Sequence, residues 1–129
     1  MPWRLDHVQL AIPPGSEERC DEFYVGLFSF ETLEKPPSLA ARGGRWYRRG
    51  DATLHLGVEE YFLPAKKAHP AFAVDDYYGL IERLAQAGVV VRPDDSIPGV
   101  RRCHVDDPVG NRLELIDSGN RAVALTVPG

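Results

Sequence analysis

The chain has 129 residues, 43% hydrophobic and 26% charged, which is ordinary globular usage and enough length to bury one core without disulfides or metal staples. A formal net charge of −4 excludes the basic face that nucleic acid requires and disfavours an anionic membrane surface, so a small molecule is the expected partner. No apolar run approaches the roughly 20 residues of a membrane span, and MPWRLDH lacks the basic-then-apolar order of a signal peptide, so the expected location is cytoplasmic.

Residues 5 to 12 (LDHVQLAI) alternate as a strand, with Leu5, His7, Gln9 and Ala11 on one face and Asp6, Val8, Leu10 and Ile12 on the other. PPG at 13 to 15 ends it. Ser16 is then placed to cap a helix whose first turn carries Glu17 and Glu18 and whose apolar stripe is Cys20, Phe23, Tyr24 and Leu27. A short strand is expected from Phe30 to Leu33, and KPPSLAARGG reads as a loop. Arg45 to Arg49 and Ala52 to Val58 form a hairpin about Gly50-Asp51, with Thr53, His55 and Gly57 opposite Leu54, Leu56 and Val58. Residues 59 to 68 connect this half to the next.

The second half repeats the plan. His69, Ala71 and Ala73 alternate with Phe72 and Val74, and Asp75 or Asp76 caps a helix with the stripe Tyr77, Leu80, Ile81, Leu84. Gly88 is placed for a left-handed C-terminal cap. VVVRP is read as the next strand and PDDSIPG as a loop. Val100 to Val105 and Arg112 to Ile116 then pair across the turn-rich DDPVGN, with Arg112, Glu114 and Ile116 opposite Leu113 and Leu115. The pattern predicts one domain over residues 1 to 129: a first module at about 4 to 62, a second at about 66 to 117, and a tail over 118 to 129. Each module reads strand, helix, strand, strand, strand. Helices are expected on one face of the sheet and polar side chains on the other.

Two cysteines, Cys20 and Cys103, lack metal-type spacing and read as buried side chains. Arg42, Arg45, Arg48 and Arg49, and again Arg101 and Arg102, are clusters that form a solvated face or meet an anion. The chemistry concentrates in the repeat itself. HVQLAI and HPAFAV each open on a histidine, and each half closes on a strand with another donor, His55 in LHLG, 48 residues after His7, and Glu114 in RLELI, 45 after His69. Imidazoles with a carboxylate suit a divalent transition metal and leave open positions for substrate or oxygen.

With these residues in place, LDHVQLAI, AHPAFAV and DDPVGNRLELI make the chain resemble the glyoxalase, bleomycin-resistance and extradiol dioxygenase superfamily, also called vicinal oxygen chelate proteins, over about residues 4 to 117. The resemblance implies an α+β fold of two βαβββ modules forming a cupped mixed sheet with helices on its outer face, paired in a homodimer. It implies metal ligation by His7, His55, His69 and Glu114, with Fe, Mn, Ni, Co or Zn as the ion. It further implies a metal-dependent lyase, isomerase or dioxygenase acting on an oxygen-chelating small molecule. Glu114 and His104 are the expected catalytic groups; Arg102, Gln9, Thr53 and Trp46 are the expected substrate contacts. Glyoxalase I members usually carry a carboxylate where this chain has His55, and fosfomycin-resistance members a threonine where it has Gln9. Extradiol dioxygenases match at His7, His69 and Glu114. The competing expectation is a metal-free binding protein of the bleomycin-resistance type.

Overall fold

A computed structural model describes residues 1–119; the expected tail therefore lies, but for its first two residues, outside the described residues. The described chain divides into two compact units, residues 1–65 with 108–111, and residues 66–107 with 112–119. Each contains the predicted α+β plan. Among the described residues, no helix is long and apolar enough to cross a membrane.

The first unit holds β1 (Val8–Ile12), α1 (Glu17–Tyr24), β2 (Glu31–Leu33), α2 (Pro37–Ala40), β3 (Arg45–Arg49) and β4 (Ala52–Val58). Its sheet order is β1-β4-β3-β2, with β1 parallel to β4 and the remaining pairs antiparallel. β1 is shorter than the alternation suggested. It begins at Val8, whose register partner is Leu54, so residues 5 to 7 precede the ladder and His7 stands at its mouth. The predicted parity holds along it: Leu10, Ile12, Leu54 and Leu56 are buried, whereas Gln9 is exposed.

Helix α1 covers the buried face through Cys20, Phe23 and Tyr24, and Tyr24 packs on Tyr47 with ring centroids 5.4 Å apart. Phe28 and Phe30 complete this aromatic core. Ser16 occupies the N-cap position without capping, because its hydroxyl donates instead to the Pro13 carbonyl at 2.7 Å. The expected loop at 35 to 44 contains one helical turn, α2, started by Pro37 with its fixed φ at the first helical position. Under α1, Asp21 accepts from the Tyr47 hydroxyl at 2.6 Å and from Arg45 Nε at 3.0 Å. Burial, reinforced by the Asp21 contact, pushes the Tyr47 phenol far above its ordinary range.

Gly44 has φ +84°, and a Cβ there would strike the Leu56 carbonyl oxygen, so only glycine fits. Its amide donates to Glu17 Oε2 at 2.8 Å, and that bond, working against partial burial, holds the Glu17 carboxyl below its ordinary range. A depressed carboxylate stabilises the fold above its unfolded pKa, and the contribution is lost as pH falls. Glu17→Gln should therefore lower stability by about 0.5–1 kcal/mol at pH 7. The deficit should shrink as pH falls from the ordinary glutamate range through the depressed folded pKa, as read by urea midpoints across pH. A deficit that persisted in acid would remove the charge from this account.

The second unit holds β5 (Ala71–Val74), α3 (Tyr77–Gln86), β6 (Arg92–Asp94), β7 (Arg102–Asp106) and β8 (Arg112–Asp117), in the sheet order β5-β8-β7-β6. Again the outer pair β5/β8 is parallel and the rest antiparallel. Asp76 is the capping residue of α3, accepting from the Gly79 amide at 3.2 Å. The helix ends in a Schellman arrangement, with Gly88 at φ +83°, Gly88 N bonded to Ala85 O and Val89 N to Leu84 O. That cap takes up Val89, which is why β6 begins at Arg92 rather than at the start of VVVRP. Tyr77, Leu80 and Leu84 face the buried row of Cys103, Val105, Leu113 and Leu115 as the stripe predicts.

Candidate functional site

In the second unit, strand parity places Ala71 and Ala73 of β5, Arg112, Glu114 and Ile116 of β8, Arg102, His104 and Asp106 of β7, and Arg92 and Asp94 of β6 on the face opposite α3. Register makes His104 the direct neighbour of Glu114 and of Arg92. His69 reaches the same row from just ahead of β5, with Nε2 2.8 Å from Glu114 Oε1. Ligand atoms of His69, His104 and Glu114 lie within 4.8 Å of one another, a group able to hold a metal ion.

The hydrogen bonds fix how these groups present themselves. His69 Nδ1 lies 2.9 Å from the Lys67 carbonyl, which can only accept, so Nδ1 carries a hydrogen. Nε2 then faces a carboxylate oxygen, and two acceptors at 2.8 Å require a proton or a metal cation between them. Glu114's other oxygen accepts from Arg102 at 3.1 Å. Burial raises the Glu114 pKa, and the contacts with His69 and Arg102 outweigh it, leaving the carboxyl below its ordinary range. Glu114 is thus ionised and anchored on one side, with its free lone pairs toward His69.

His104 is differently placed. It is 5% exposed, and its Nε2 lies 3.0 Å from Asp94 Oδ2, an acceptor, so Nε2 is the donor. Its Nδ1 is 3.4 Å from the Arg112 guanidinium. A lone pair turned toward a cation is poorly disposed to bind a metal, so the geometry makes His104 a neighbour of the pair His69–Glu114 more than a third ligand. Asp94 also takes the Ser96 hydroxyl and amide and Arg102, and these bonds, led by the hydroxyl, drive its carboxyl far below the ordinary range. Arg102 is held by Glu114, Asp94 and Ser96 together, a restraint that the sequence did not reveal.

The first unit brings together a different set. His55 is sandwiched between the indole of Trp46, at 4.2 Å and 7° between planes, and the ring of His7, at 4.1 Å and 20°. Register explains the first contact, since Trp46 and His55 are directly opposed on β3 and β4. Gln9 opposes His55 on the other side, and Thr53 is two residues before it on the same face. Burial, and then the neighbouring His7, lowers the His55 pKa, which keeps its lone pair available near neutral pH. His7 Nδ1 donates to Asp6 Oδ1 at 2.9 Å, orienting Nε2 outward in the manner of a carboxylate-supported ligand. Trp46, expected as a substrate contact, therefore acts on His55 directly. Trp46→Leu should weaken binding of Co²⁺ or Ni²⁺ to the stripped protein by about 10-fold, the scale of a lost supporting group, while Trp46→Phe retains most of it. Isothermal titration decides this, and equal affinity of the Leu variant would show that the stack is incidental.

One buried residue of the turn motif was not singled out from the sequence. Asn111, 1% exposed, donates to the Ala11 carbonyl at 2.7 Å and accepts from the Ala65 amide at 2.9 Å. Within DDPVGN it looks like one more turn former; only the packed structure shows it tying the end of β1 and the connection after β4.

Known proteins share this fold. Residues 4–115 match the family model described as Glyoxalase/Bleomycin resistance protein/Dioxygenase superfamily. A crystal structure of a glyoxalase family protein from Bacillus anthracis is 41% identical, with a TM-score of 0.87 over 91% of this chain and 96% of that one. The fosfomycin resistance protein FosX from Mesorhizobium loti shares the fold at 20% identity and a TM-score of 0.66, covering 91% and 93% of the two chains. Lactoylglutathione lyase from Agrobacterium tumefaciens does so at 18% and 0.65, covering 90% and 94%. No curated protein matches. With the family model spanning most of its length and the doubled histidine strands in the places described, this chain belongs to the Glyoxalase/Bleomycin resistance protein/Dioxygenase superfamily.

Proposed function

We propose that the protein is a divalent-metal-dependent enzyme acting on a small oxygen-chelating molecule by lyase, isomerase or dioxygenase chemistry. The candidate metal ligands of the second unit are His69 and Glu114, and those of the first are His7 and His55. The observation that carries this reading is the His69–Glu114 contact: with Nδ1–H fixed on the Lys67 carbonyl, Nε2 and a Glu114 carboxylate oxygen lie 2.8 Å apart, a spacing that a proton or a divalent ion bridges. Members of the superfamily are commonly metal-dependent and bind small molecules, and this donor set suits that chemistry. A bound divalent ion would supply Lewis-acid polarisation of substrate oxygens.

The chain's own residues supply the rest. Arg102 holds one Glu114 oxygen so that the other stays directed at His69. His104 donates its Nε2–H to the Asp94 carboxylate and stands beside Glu114, where an imidazole serves as the acid or base of the reaction. Gln9 and Thr53 flank His55 and contact the substrate. His55, in the place of a glyoxalase carboxylate, turns the reading away from the lactoylglutathione lyase reaction. Cys20 and Cys103 are buried free thiols, as a reducing compartment such as the cytoplasm would keep them, and the reading extends to a homodimer.

A metal-free binding protein is favoured by one feature: His69 and Arg102 between them already occupy both Glu114 oxygens. Elemental analysis of protein purified without added metal, beside a His7→Ala/Glu114→Ala variant, separates the two. The enzyme reading expects about one ion per chain in the wild type and a small fraction of that in the variant; equal content sinks it.

A further inference from the structure

Glu114 can turn one oxygen to His69 only while Arg102 is kept to the other, yet a guanidinium beside a carboxylate does not ordinarily stop at one. Its planar fork matches both oxygens with two parallel bonds. Here the fork is divided. Nη1 donates to Glu114 Oε2 at 3.1 Å, while Nη2 lies 3.0 Å from Asp94 Oδ2 and donates to Ser96 Oγ at 2.9 Å. Nε, although buried, has no acceptor among the described residues. A fork split between two carboxylates, with one donor unpaired, is not what Arg102 would adopt with Glu114 alone.

The division originates on β6, the edge strand of the sheet. Asp94 is its last residue and the direct register partner of Arg102 on β7, so the two side chains stand side by side on the polar face. The chain then turns, and Asp94 Oδ1 accepts from the Ser96 amide at 3.0 Å and from the Ser96 hydroxyl at 2.6 Å. With its hydrogen on Asp94, that hydroxyl turns a lone pair to Arg102. Both Asp94 oxygens are thereby fixed: Oδ1 in its own turn, and Oδ2 toward β7, where it takes Arg102 Nη2 and, at 3.0 Å, His104 Nε2. The sequence placed both residues in PDDSIPG, outside the candidate site.

We propose that Asp94, locked in place by Ser96, is a positioning residue for Glu114: it confines Arg102 to one Glu114 oxygen and so leaves the other for His69 and the ion. The geometric half of this inference is independent of any metal; what the freed oxygen binds rests on the metal reading above.

The test reads the two halves separately on the full chain. Asp94→Asn keeps the side chain's size, and with its oxygen retained by Ser96 its amide nitrogen faces Arg102, donor against donor. In a crystal structure of the metal-free variant, Arg102 should bond both Glu114 oxygens, and His69 Nε2 should lie beyond about 3.5 Å from either. Stripped of metal and titrated with Co²⁺, the variant should bind about 10-fold more weakly than wild type, the scale of a lost supporting group. In an Arg102→Met background the same substitution should cost less than about twofold, because the residue it acts through is gone. A carboxylate needed only for folding would cost the same in both backgrounds. Ser96→Ala, which leaves the charge in place, should move the crystal geometry and the titration in the same direction, and it carries the test if Asp94→Asn fails to fold. Three results each overturn the proposal: a His69–Glu114 contact still closed at 2.8 Å with Arg102 on one oxygen, unchanged Co²⁺ affinity where wild type binds through Glu114, or a 10-fold loss that persists without Arg102. If wild type and Glu114→Ala bind Co²⁺ equally, the metal reading falls, and the crystal geometry alone upholds or overturns the role of Asp94.

Discussion

Glu114→Ala is expected to lower the affinity of the purified protein for Co²⁺ or Ni²⁺ on the order of 100-fold or more, the loss of a ligand exceeding the 10- to 100-fold cost of a supporting group. The same substitution should destabilise the metal-free chain, because Glu114 is the shared partner of His69 and Arg102 and its side chain is only 10% exposed. Breaking a buried ion pair by removing one member costs about 3–5 kcal/mol. Here Asp94 still serves Arg102 and His69 is 24% exposed, so about 2 kcal/mol is the better expectation. Glu114→Gln keeps an oxygen acceptor for Arg102 and should cost about half as much in stability while losing nearly as much metal affinity. The split between the two variants, read by titration calorimetry and urea unfolding, is what a purely structural carboxylate would fail to show.

Asn111→Ala is the second large effect, and it lies outside every candidate ligand. Asn111 satisfies the Ala11 carbonyl and the Ala65 amide at once from a position that water does not reach. Its removal leaves two part-buried backbone groups without that partner, each hydrogen bond contributing about 0.5–1.5 kcal/mol, so a loss of about 1–3 kcal/mol is expected. Asn111→Asp should be no milder. The carboxylate would still accept from Ala65, but it would place a second acceptor against the Ala11 carbonyl where the amide had donated. Urea unfolding at pH 7 measures both. A deficit under about 0.5 kcal/mol for either would show that the amide's bonds contribute little to stability.

The order and type of the strands and the two long helices were legible because the relevant signals are local. Alternation at Leu10, Ile12, Leu54 and Leu56, the stripe at Tyr77, Leu80 and Leu84, and the glycine at position 88 each act within a few residues of where they are read. The ligand candidates were legible for the same reason, since parity alone puts His55 and Glu114 on the faces opposite their helices. Boundaries were less so. Val89 belongs to a Schellman cap rather than to a strand, and the Ser16 hydroxyl turns back to Pro13, both outcomes of competition between neighbouring hydrogen bonds. Partnerships were least legible. That Arg102 is clamped by Glu114 and Asp94, and that Trp46 stacks on His55, is visible only in the folded chain. Such contacts depend on side chains brought together from across the sheet, which no periodicity encodes.

In the proposed enzyme, His69 and Glu114 hold a divalent ion. A crystal structure of the metal-loaded chain, with anomalous diffraction collected at the edge of the added metal, tests it most directly. An anomalous peak is expected within bonding distance, about 2.0–2.2 Å, of both His69 Nε2 and a Glu114 carboxylate oxygen. A fully loaded crystal in which the peak lies elsewhere, with the His69–Glu114 contact still closed at its 2.8 Å, would contradict it.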